Sequence, residues 1–341
     1  MSSRRVLLTG VGRPIMARMA RRLAAHPDVD LVVGVDTHEP RRLGPVRFVR
    51  AELSNPIVGA TLRDEGIDTL VHAGMHTAPR AAGGRRRMKE RNVIGSMQLL
   101  AAAQHAEDLR HVVLKSFTVL YGSDAADPGV FSEDTPVDRT ASGFTRDVID
   151  VEGYATGLAR RRPDLDLTTL RFANFVGGVE DSALSGFFSL PVVPSVLGFD
   201  PRLQFCHAED AVEVVVRAVT DPRPGLYNVA GPGALYLSQA IRQAGRMRLP
   251  VPGAFVTGMA DLANRSGRVD VPTDQLSFLL FGRVVDVTRL VTEFGYTPTH
   301  TTPEAFAAFL ERRRQRGVTR RDLLALQQAV AARLRQPAGD A

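Results

Sequence analysis

Apolar residues along this chain come in short blocks separated by amphipathic stretches. The blocks at 6–8, 31–35, 68–74, 111–114, 167–172 and 226–230 have the length and aliphatic content of buried strands, and 46–50 alternates like a short one. Between them, 14–25, 56–65, 86–107, 144–162 and 209–219 read as helices. In the first of these, Ile15, Met19 and Leu23 share one face and arginines fill the other. Strands alternating with helices predict an α/β fold: a doubly wound parallel sheet of the Rossmann type with helices on both faces. Residues 182–201 are apolar but broken by Pro191, Pro194 and Gly198, and 237–281 read as helices; both suit a smaller C-terminal substrate lobe. A helix follows at 302–314, and Leu323, Leu324, Leu326, Val330 and Leu334 mark an amphipathic last helix over 319–334. The expected division is a dinucleotide-binding domain over 1–180, with 203–231 returning to it. A substrate lobe takes 181–202 and 232–315, and a C-terminal helix and tail take 316–341.

The first strand runs into Thr9-Gly10-Val11-Gly12-Arg13-Pro14. Pro14 suits the first position of a helix, where a missing N–H costs little. Strand, glycine turn and helix are the opening of a dinucleotide-binding βαβ unit, which brings a pyrophosphate onto the N–H groups of a helix N-terminus. The second apolar run ends in Asp36, where such a unit keeps the acid that accepts the adenosine ribose hydroxyls. The turn departs from its fingerprint. Gly10 and Gly12 fit Gly-x-Gly-x-x-Gly, but Ile15 stands where the third glycine is due. In the Gly-x-x-Gly-x-x-Gly spacing, Arg13 and Met16 replace glycines. The last glycine is the one that lets helix and strand pack closely.

Composition narrows the partners. With 341 residues, 44% of them hydrophobic, the chain has the size of one large α/β domain plus a lobe. The net charge is +6, almost all from arginine; Lys89 and Lys115 are the only lysines. The arginines are spread out apart from clusters such as 85–87 and 312–314. A nucleic-acid surface would interleave basic residues with aromatics, and aromatics are only 6% here, with no Trp. The two clusters are therefore expected to be solvated surface, with no nucleic acid among the partners. No apolar run is long enough to span a membrane. The opening Met-Ser-Ser-Arg-Arg leads straight into the first strand, so neither leader nor membrane contact is expected. The single Cys206 excludes an internal disulfide and fits a reducing compartment, which makes the cytoplasm the expected location.

Seven landmarks in order resemble the extended short-chain dehydrogenase/reductase superfamily, in its NAD-dependent epimerase/dehydratase branch. They are Thr9-Gly10, Asp36, Glu52-Leu53, Val71-His72-Ala73-Gly74, Asn92-Val93-x-Gly95-Ser96, Leu170-Arg171-Phe172-x-Asn174-x-x-Gly177 and Phe205-x-His207-x-x-Asp210. The resemblance implies NAD as cofactor, held by Gly10, Gly12, Asp36, Glu52, Leu53, Ala73 and Asn174. NADP is the alternative, since Arg41 and Arg42 lie near Asp36 and soften its preference for NAD. It also implies a small-molecule ligand such as a sugar nucleotide or carbonyl compound, and a homodimer formed through a pair of helices. The family's catalytic groups do not carry over. Its Tyr-x-x-x-Lys falls on Phe144 and Val148, and its Ser/Thr falls on Phe117. None of the five tyrosines has a lysine four residues on. Arg146 is too strong a base to donate a proton at neutral pH.

The remaining polar groups at the catalytic end are Ser116, Thr118 and Tyr121, with Asn174 nearby. Positioned acid–base catalysis is worth about 10²–10⁴ in rate, so losing Tyr, Lys and Ser/Thr together removes the usual proton chemistry. His72 and His76 sit at a strand end and loop rather than on one helix face, and no metal site is expected. A hydrolase reading of Ser116 with His207 and Asp210 lacks the Gly-x-Ser-x-Gly elbow. The expected function is that of a divergent, nucleotide-binding member of the family whose Tyr/Lys redox catalysis is lost or replaced. If it turns over, the class is an NAD(P)-dependent oxidoreductase, epimerase or dehydratase. The alternative is a non-catalytic ligand sensor or partner-binding scaffold.

Overall fold

The computed structural model describes residues 3–79, 82–124, 126–137, 141–177, 187–188, 190, 192–252 and 273–315. The first half of the chain alternates as its pattern predicts: β1 (Arg4–Thr9), α1 (Pro14–Ala24), β2 (Val29–Asp36), β3 (Arg47–Arg50), α2 (Pro56–Asp64), β4 (Thr69–His72). The single helix expected over 86–107 is interrupted. It consists of α3 (Arg85–Lys89), a π-helical turn at Glu90–Ile94 and α4 (Gly95–Gln104). Next come β5 (His111–Phe117), a 3₁₀ turn at Thr118–Tyr121, α5 (Gly143–Arg161) and β6 (Asp166–Phe172). Short strands follow: β7 (Asn174–Val176), β8 (Val192–Val196), β9 (Arg202–Leu203) and β10 (Phe205–His207). The chain then forms α6 (Ala208–Thr220), β11 (Gly225–Val229), β12 (Leu235–Tyr236), α7 (Leu237–Gln243), β13 (Met247–Val251), α8 (Thr273–Phe281), β14 (Gly282–Arg283), α9 (Thr288–Thr292) and α10 (Thr302–Gln315).

Seven parallel strands form the main sheet in the order β11-β6-β5-β4-β1-β2-β3. Its inner strands are buried aliphatic runs, as strands covered on both faces must be. Helices α1 and α6 pack together, as do α2, α4 and α5. Two ion pairs one turn apart, Arg18–Glu209 and Arg22–Glu213, join α1 to α6. The strand order reverses between β1 and β4. In such sheets a crevice opens at that point, outside the carboxyl ends of the strands.

A second cluster of buried side chains lies beyond the sheet and includes Phe188, Leu203, Phe205, Leu235, Ile241, Phe278 and Phe306. Phe205 and Phe306 stack at 5.6 Å, and Phe188 meets Phe306 edge-on at 5.0 Å. Strands β9 and β10 stand outside the main sheet; β10 pairs with β7, and β9 with β12 and β14. Two details differ from the sequence reading. The stretch 237–281 is not wholly helical, because β13 pairs in parallel with β8. Arg85 is not simply solvated surface. It forks onto the fully buried carboxylate of Asp147 at 2.7 and 2.8 Å, tying α3 to α5. The amphipathic helix expected over 319–334 lies outside the described residues. Among those described, no helix is long and apolar enough to cross a membrane.

Candidate functional site

The crevice is built on backbone contact. Gly10 has φ +83°, and a Cβ there would lie 2.7 Å from the Cα of Gly74. Only glycine lets the β1–α1 turn meet the end of β4 so closely. Gly12 is equally constrained: a Cβ would lie 2.8 Å from the carbonyl oxygen of His38. Its N–H donates to Asp36 Oδ2 at 2.9 Å, and Asp36 Oδ1 accepts the N–H of Thr37 at 2.6 Å. Asp36 is thereby oriented at the end of β2. The third glycine is absent because α1 uses that place for core packing: Ile15 and Met16 are both buried.

Beneath the crevice, four polar side chains lock the strand ends together. Thr9 Oγ1 accepts the N–H groups of Ala73 and Gly74 at 3.1 and 3.0 Å, and lies 2.9 Å from His72 Nδ1. With two donors already on its oxygen, the hydroxyl points its own hydrogen at Nδ1. His72 is then the Nε2–H tautomer and donates to Ser96 Oγ at 2.7 Å. Burial, helped by the charges of Lys115 and Arg13, pushes this imidazole down to about 4, so it is neutral. Asn92 sits in the π-helical turn and holds the backbone of His76 at both groups, accepting its N–H at 2.7 Å and donating to its C=O at 2.8 Å. Gly95 lets Leu53 approach; a Cβ would lie 3.3 Å from that side chain. Each polar or glycine position of the Asn-Val-x-Gly-Ser motif thus has a use here.

A cavity of about 370 Å³ opens over this floor, lined by Gly10, Asp36, Glu52, Leu53, Gly74 and His76 among others. Its rim carries Arg87, Glu90 and Arg91, and Arg91 donates to Glu52 at 3.1 Å. Burial first, then the charges of Arg13 and Arg91, lower the His76 imidazole to about 4. The volume falls within the range of small-molecule clefts. A larger groove of about 530 Å³ lies between α1 and α6, lined by Arg22, His26, Glu213 and Arg217, away from the strand ends that form the crevice.

The expected site residues fall into two groups. Gly10, Asp36, Glu52 and Leu53 line the cavity; Gly12 is tied to it through Asp36, and Ala73 is buried beneath it, its N–H on Thr9 Oγ1. Asn174 begins β7, past the end of β6 and on the far side of β5 from the cavity. Ser116 and Tyr121 meet in a buried network on the side of the sheet that faces α5. Ser116 donates to Glu152, and Arg171 donates to both Glu152 oxygens at 3.0 and 2.7 Å. Arg171 also donates to the Tyr121 oxygen at 2.8 Å, and Tyr121 donates to Asn228 Oδ1 at 2.9 Å. Burial raises the Tyr121 phenol, holding it protonated. Thr118 is buried in the 3₁₀ turn that follows.

Phe117 and Phe144 meet edge-on with centroids 5.1 Å apart, and Val148 is buried one turn further along α5. The ammonium of Lys115 lies 3.6 Å from the centre of the Phe117 ring and 5.1 Å from that of Phe175. An aromatic pair stands here, with one buried lysine against it. Sequence reasoning noted Lys115 only as a rare lysine. Its alternation with Ser116 on β5 was the signal that it faces the other way.

His207, Asp210 and His300 bring ligand-type atoms within 4.8 Å of one another. The carboxylate of Asp210 is already occupied. It accepts from Tyr296 Oη, Thr299 N and Thr299 Oγ1, all at 2.7 Å, and from His300 N and Nδ1 at 3.2 and 2.9 Å. His207 Nδ1 caps α6 by accepting the N–H of Glu209 at 3.2 Å. This donor set fastens the 296–300 segment to α6 and offers a cation no open carboxylate.

The model of the NAD dependent epimerase/dehydratase family matches residues 6–230. Over 320 residues the chain is 42% identical to an uncharacterized protein of Mycobacterium tuberculosis (strain ATCC 25618 / H37Rv), covering 92% of this chain and 84% of that protein. Its fold is similar to DesIV, a dTDP-glucose 4,6-dehydratase from Streptomyces venezuelae solved with NAD, with a TM-score of 0.71 at 21% identity, covering 91% of this chain and 97% of that one. It is also similar to a UDP-glucuronic acid 4-epimerase from Bacillus cereus solved with UDP-glucuronic acid and NAD, with a TM-score of 0.71 at 17% identity, covering 91% and 99%.

Proposed function

The chain belongs to the NAD-dependent epimerase/dehydratase family, and from that premise we propose that it holds NAD across the ends of β4, β1 and β2 without the family's tyrosine–lysine catalysis. The observation that carries the cofactor reading is the cavity itself, which has the Asp36 carboxylate among its walls and Glu52 and Leu53 beside it. In this reading Asp36 accepts the ribose hydroxyls, Leu53 and Glu52 flank the adenine, and the Gly10–Gly12 turn faces the phosphates. Ala73 runs along the cofactor, and Asn174 serves the far end. Bound NAD supplies a hydride acceptor. The chain's own residues exclude water there through Phe117, Phe144 and Phe175. The ligand class that fits the family is a sugar nucleotide or another carbonyl-bearing compound.

The Phe117–Phe144 pair favours a second reading, a ligand sensor or scaffold that binds nucleotide and performs no redox step. Without the Tyr, Lys and Ser/Thr, about 3–5 kcal/mol of barrier lowering is missing. Calorimetric titration of the purified protein, first checked for cofactor carried through purification, separates these readings from no binding at all. Micromolar affinity for NAD or NADP, weakened in Asp36→Ala, supports the cofactor site; no heat with either refutes it. Absorbance at 340 nm with bound dinucleotide and sugar nucleotides then distinguishes a rebuilt enzyme from a sensor.

A further inference from the structure

We propose that Arg13 is a diphosphate clamp, so that the crevice selects adenine nucleotides carrying a diphosphate, such as ADP, ADP-ribose or NAD, over AMP and adenosine. The inference rests on the adenine-nucleotide reading above and adds a residue and a selectivity to it.

Arg13 is the N-cap residue of α1, in the turn that follows the cavity-lining Gly10. Its guanidinium reaches across the turn and donates to the carbonyls of Gly74 at 2.7 Å and Met75 at 2.5 Å, beyond the end of β4. It therefore bridges the two chain segments between which the strand order reverses, where a dinucleotide's phosphates cross. Asp36 approaches from β2, on the opposite side of β1, whereas the guanidinium lies on the β4 side, on the carbonyl of the cavity-lining Gly74.

The turn needs such a group. Pro14 is the first residue of α1 and has no N–H, so the helix offers a phosphate one donor fewer than an ordinary N-terminus. Ile15 and Met16 are committed to the core. Arginine supplies a full charge and a planar fork that fits two phosphate oxygens. The Gly74 and Met75 carbonyls are both neutral acceptors, and a guanidinium bonds an anionic diphosphate more strongly than a neutral oxygen. The positive field of Arg13 and Arg91 is felt by His76, whose imidazole both help to keep uncharged. AMP presents a single phosphate to this fork, and adenosine presents none.

The test is calorimetric titration of the full chain with adenosine, AMP, ADP and NAD, for the wild type, Arg13→Ala, Arg13→Lys and Asp36→Ala. The expected result is that Arg13→Ala weakens ADP and NAD by about 10- to 100-fold, the worth of a charge-assisted hydrogen bond, and leaves adenosine unchanged. Arg13→Lys recovers part of the loss, and Asp36→Ala weakens all four ligands together. Unchanged or tighter ADP binding in Arg13→Ala overturns the clamp, the tighter case making Arg13 a plug. Adenosine binding in the wild type with no preference for ADP over AMP also overturns it while leaving the nucleotide reading intact. No binding of any of the four refutes both. Arg13→Lys, with melting temperatures for each variant, guards against a general loss of fold.

Discussion

Lowering the pH from 7 to 5 is expected to cost the folded chain about 4 kcal/mol through two buried imidazoles, His72 and His111. Both are depressed from 6.5 to about 4, chiefly by burial. A group whose folded value is depressed contributes nothing above its unfolded value and destabilises the fold as pH drops toward the folded one. For each ring the penalty is about 2 kcal/mol at pH 5 and close to nothing at pH 7. The hydrogen-bond directions support neutrality independently. His111 Nε2 lies 3.0 Å from Thr168 Oγ1, and that hydroxyl donates to the carbonyl of Arg223 at 3.0 Å. The imidazole must therefore be the donor, and its Nδ1 is buried without a partner. A second proton would place a new N–H where no acceptor exists. At His72 it would give Thr9 Oγ1 a third donor. Urea unfolding at pH 7 and pH 5, at fixed ionic strength, reads the difference. His72→Gln keeps an acceptor for Thr9 and a donor for Ser96 but does not titrate, so its stability should fall by about 2 kcal/mol less than wild type over the same interval. His111→Gln should behave alike. Equal losses in wild type and both variants would refute the argument that these rings are locked neutral.

Gly10→Ala forces a positive φ on a residue with a Cβ and drives that carbon into Gly74, so a loss of at least about 2 kcal/mol is expected. A change in urea midpoint corresponding to less than about 0.5 kcal/mol would refute the close approach. Glu152→Gln leaves the Arg171 guanidinium buried without its counter-charge and should cost about 3–5 kcal/mol. Tyr121→Phe, which removes only a neutral hydroxyl from the same network, should cost about 1 kcal/mol, and equal losses would show that the charge pair is not its centre. Asp210→Asn removes acceptor capacity from the 296–300 segment and should raise amide exchange at Thr299 and His300 before it changes global stability. Unchanged exchange there would refute the fastening role.

The sequence by itself determined the doubly wound sheet, because strand and helix periods differ and the blocks alternate along the whole first half. It also pointed to Asp36, which a βαβ unit keeps at the end of its second strand, while Glu52 and Leu53 followed from the family resemblance; all three line the cavity. That Phe144, Val148 and Phe117 stand where the resemblance expects Tyr, Lys and Ser/Thr is likewise read from residue identity alone. Which side chains meet around these positions was settled by tertiary packing alone. That Arg13 reaches Gly74 and Met75 depends on β1 and β4 being neighbours across some sixty residues of chain. That Ser116 and Tyr121 turn toward Glu152 and Arg171, while Lys115 lies against Phe117, depends on which face of β5 each helix covers. The π-helical turn at Glu90–Ile94 was likewise illegible, since its residues suit an α-helix and only the pull of Asn92 on His76 marks the place. Periodicity fixes elements one at a time, whereas a site is made where side chains distant in sequence meet, and those distances are set by packing.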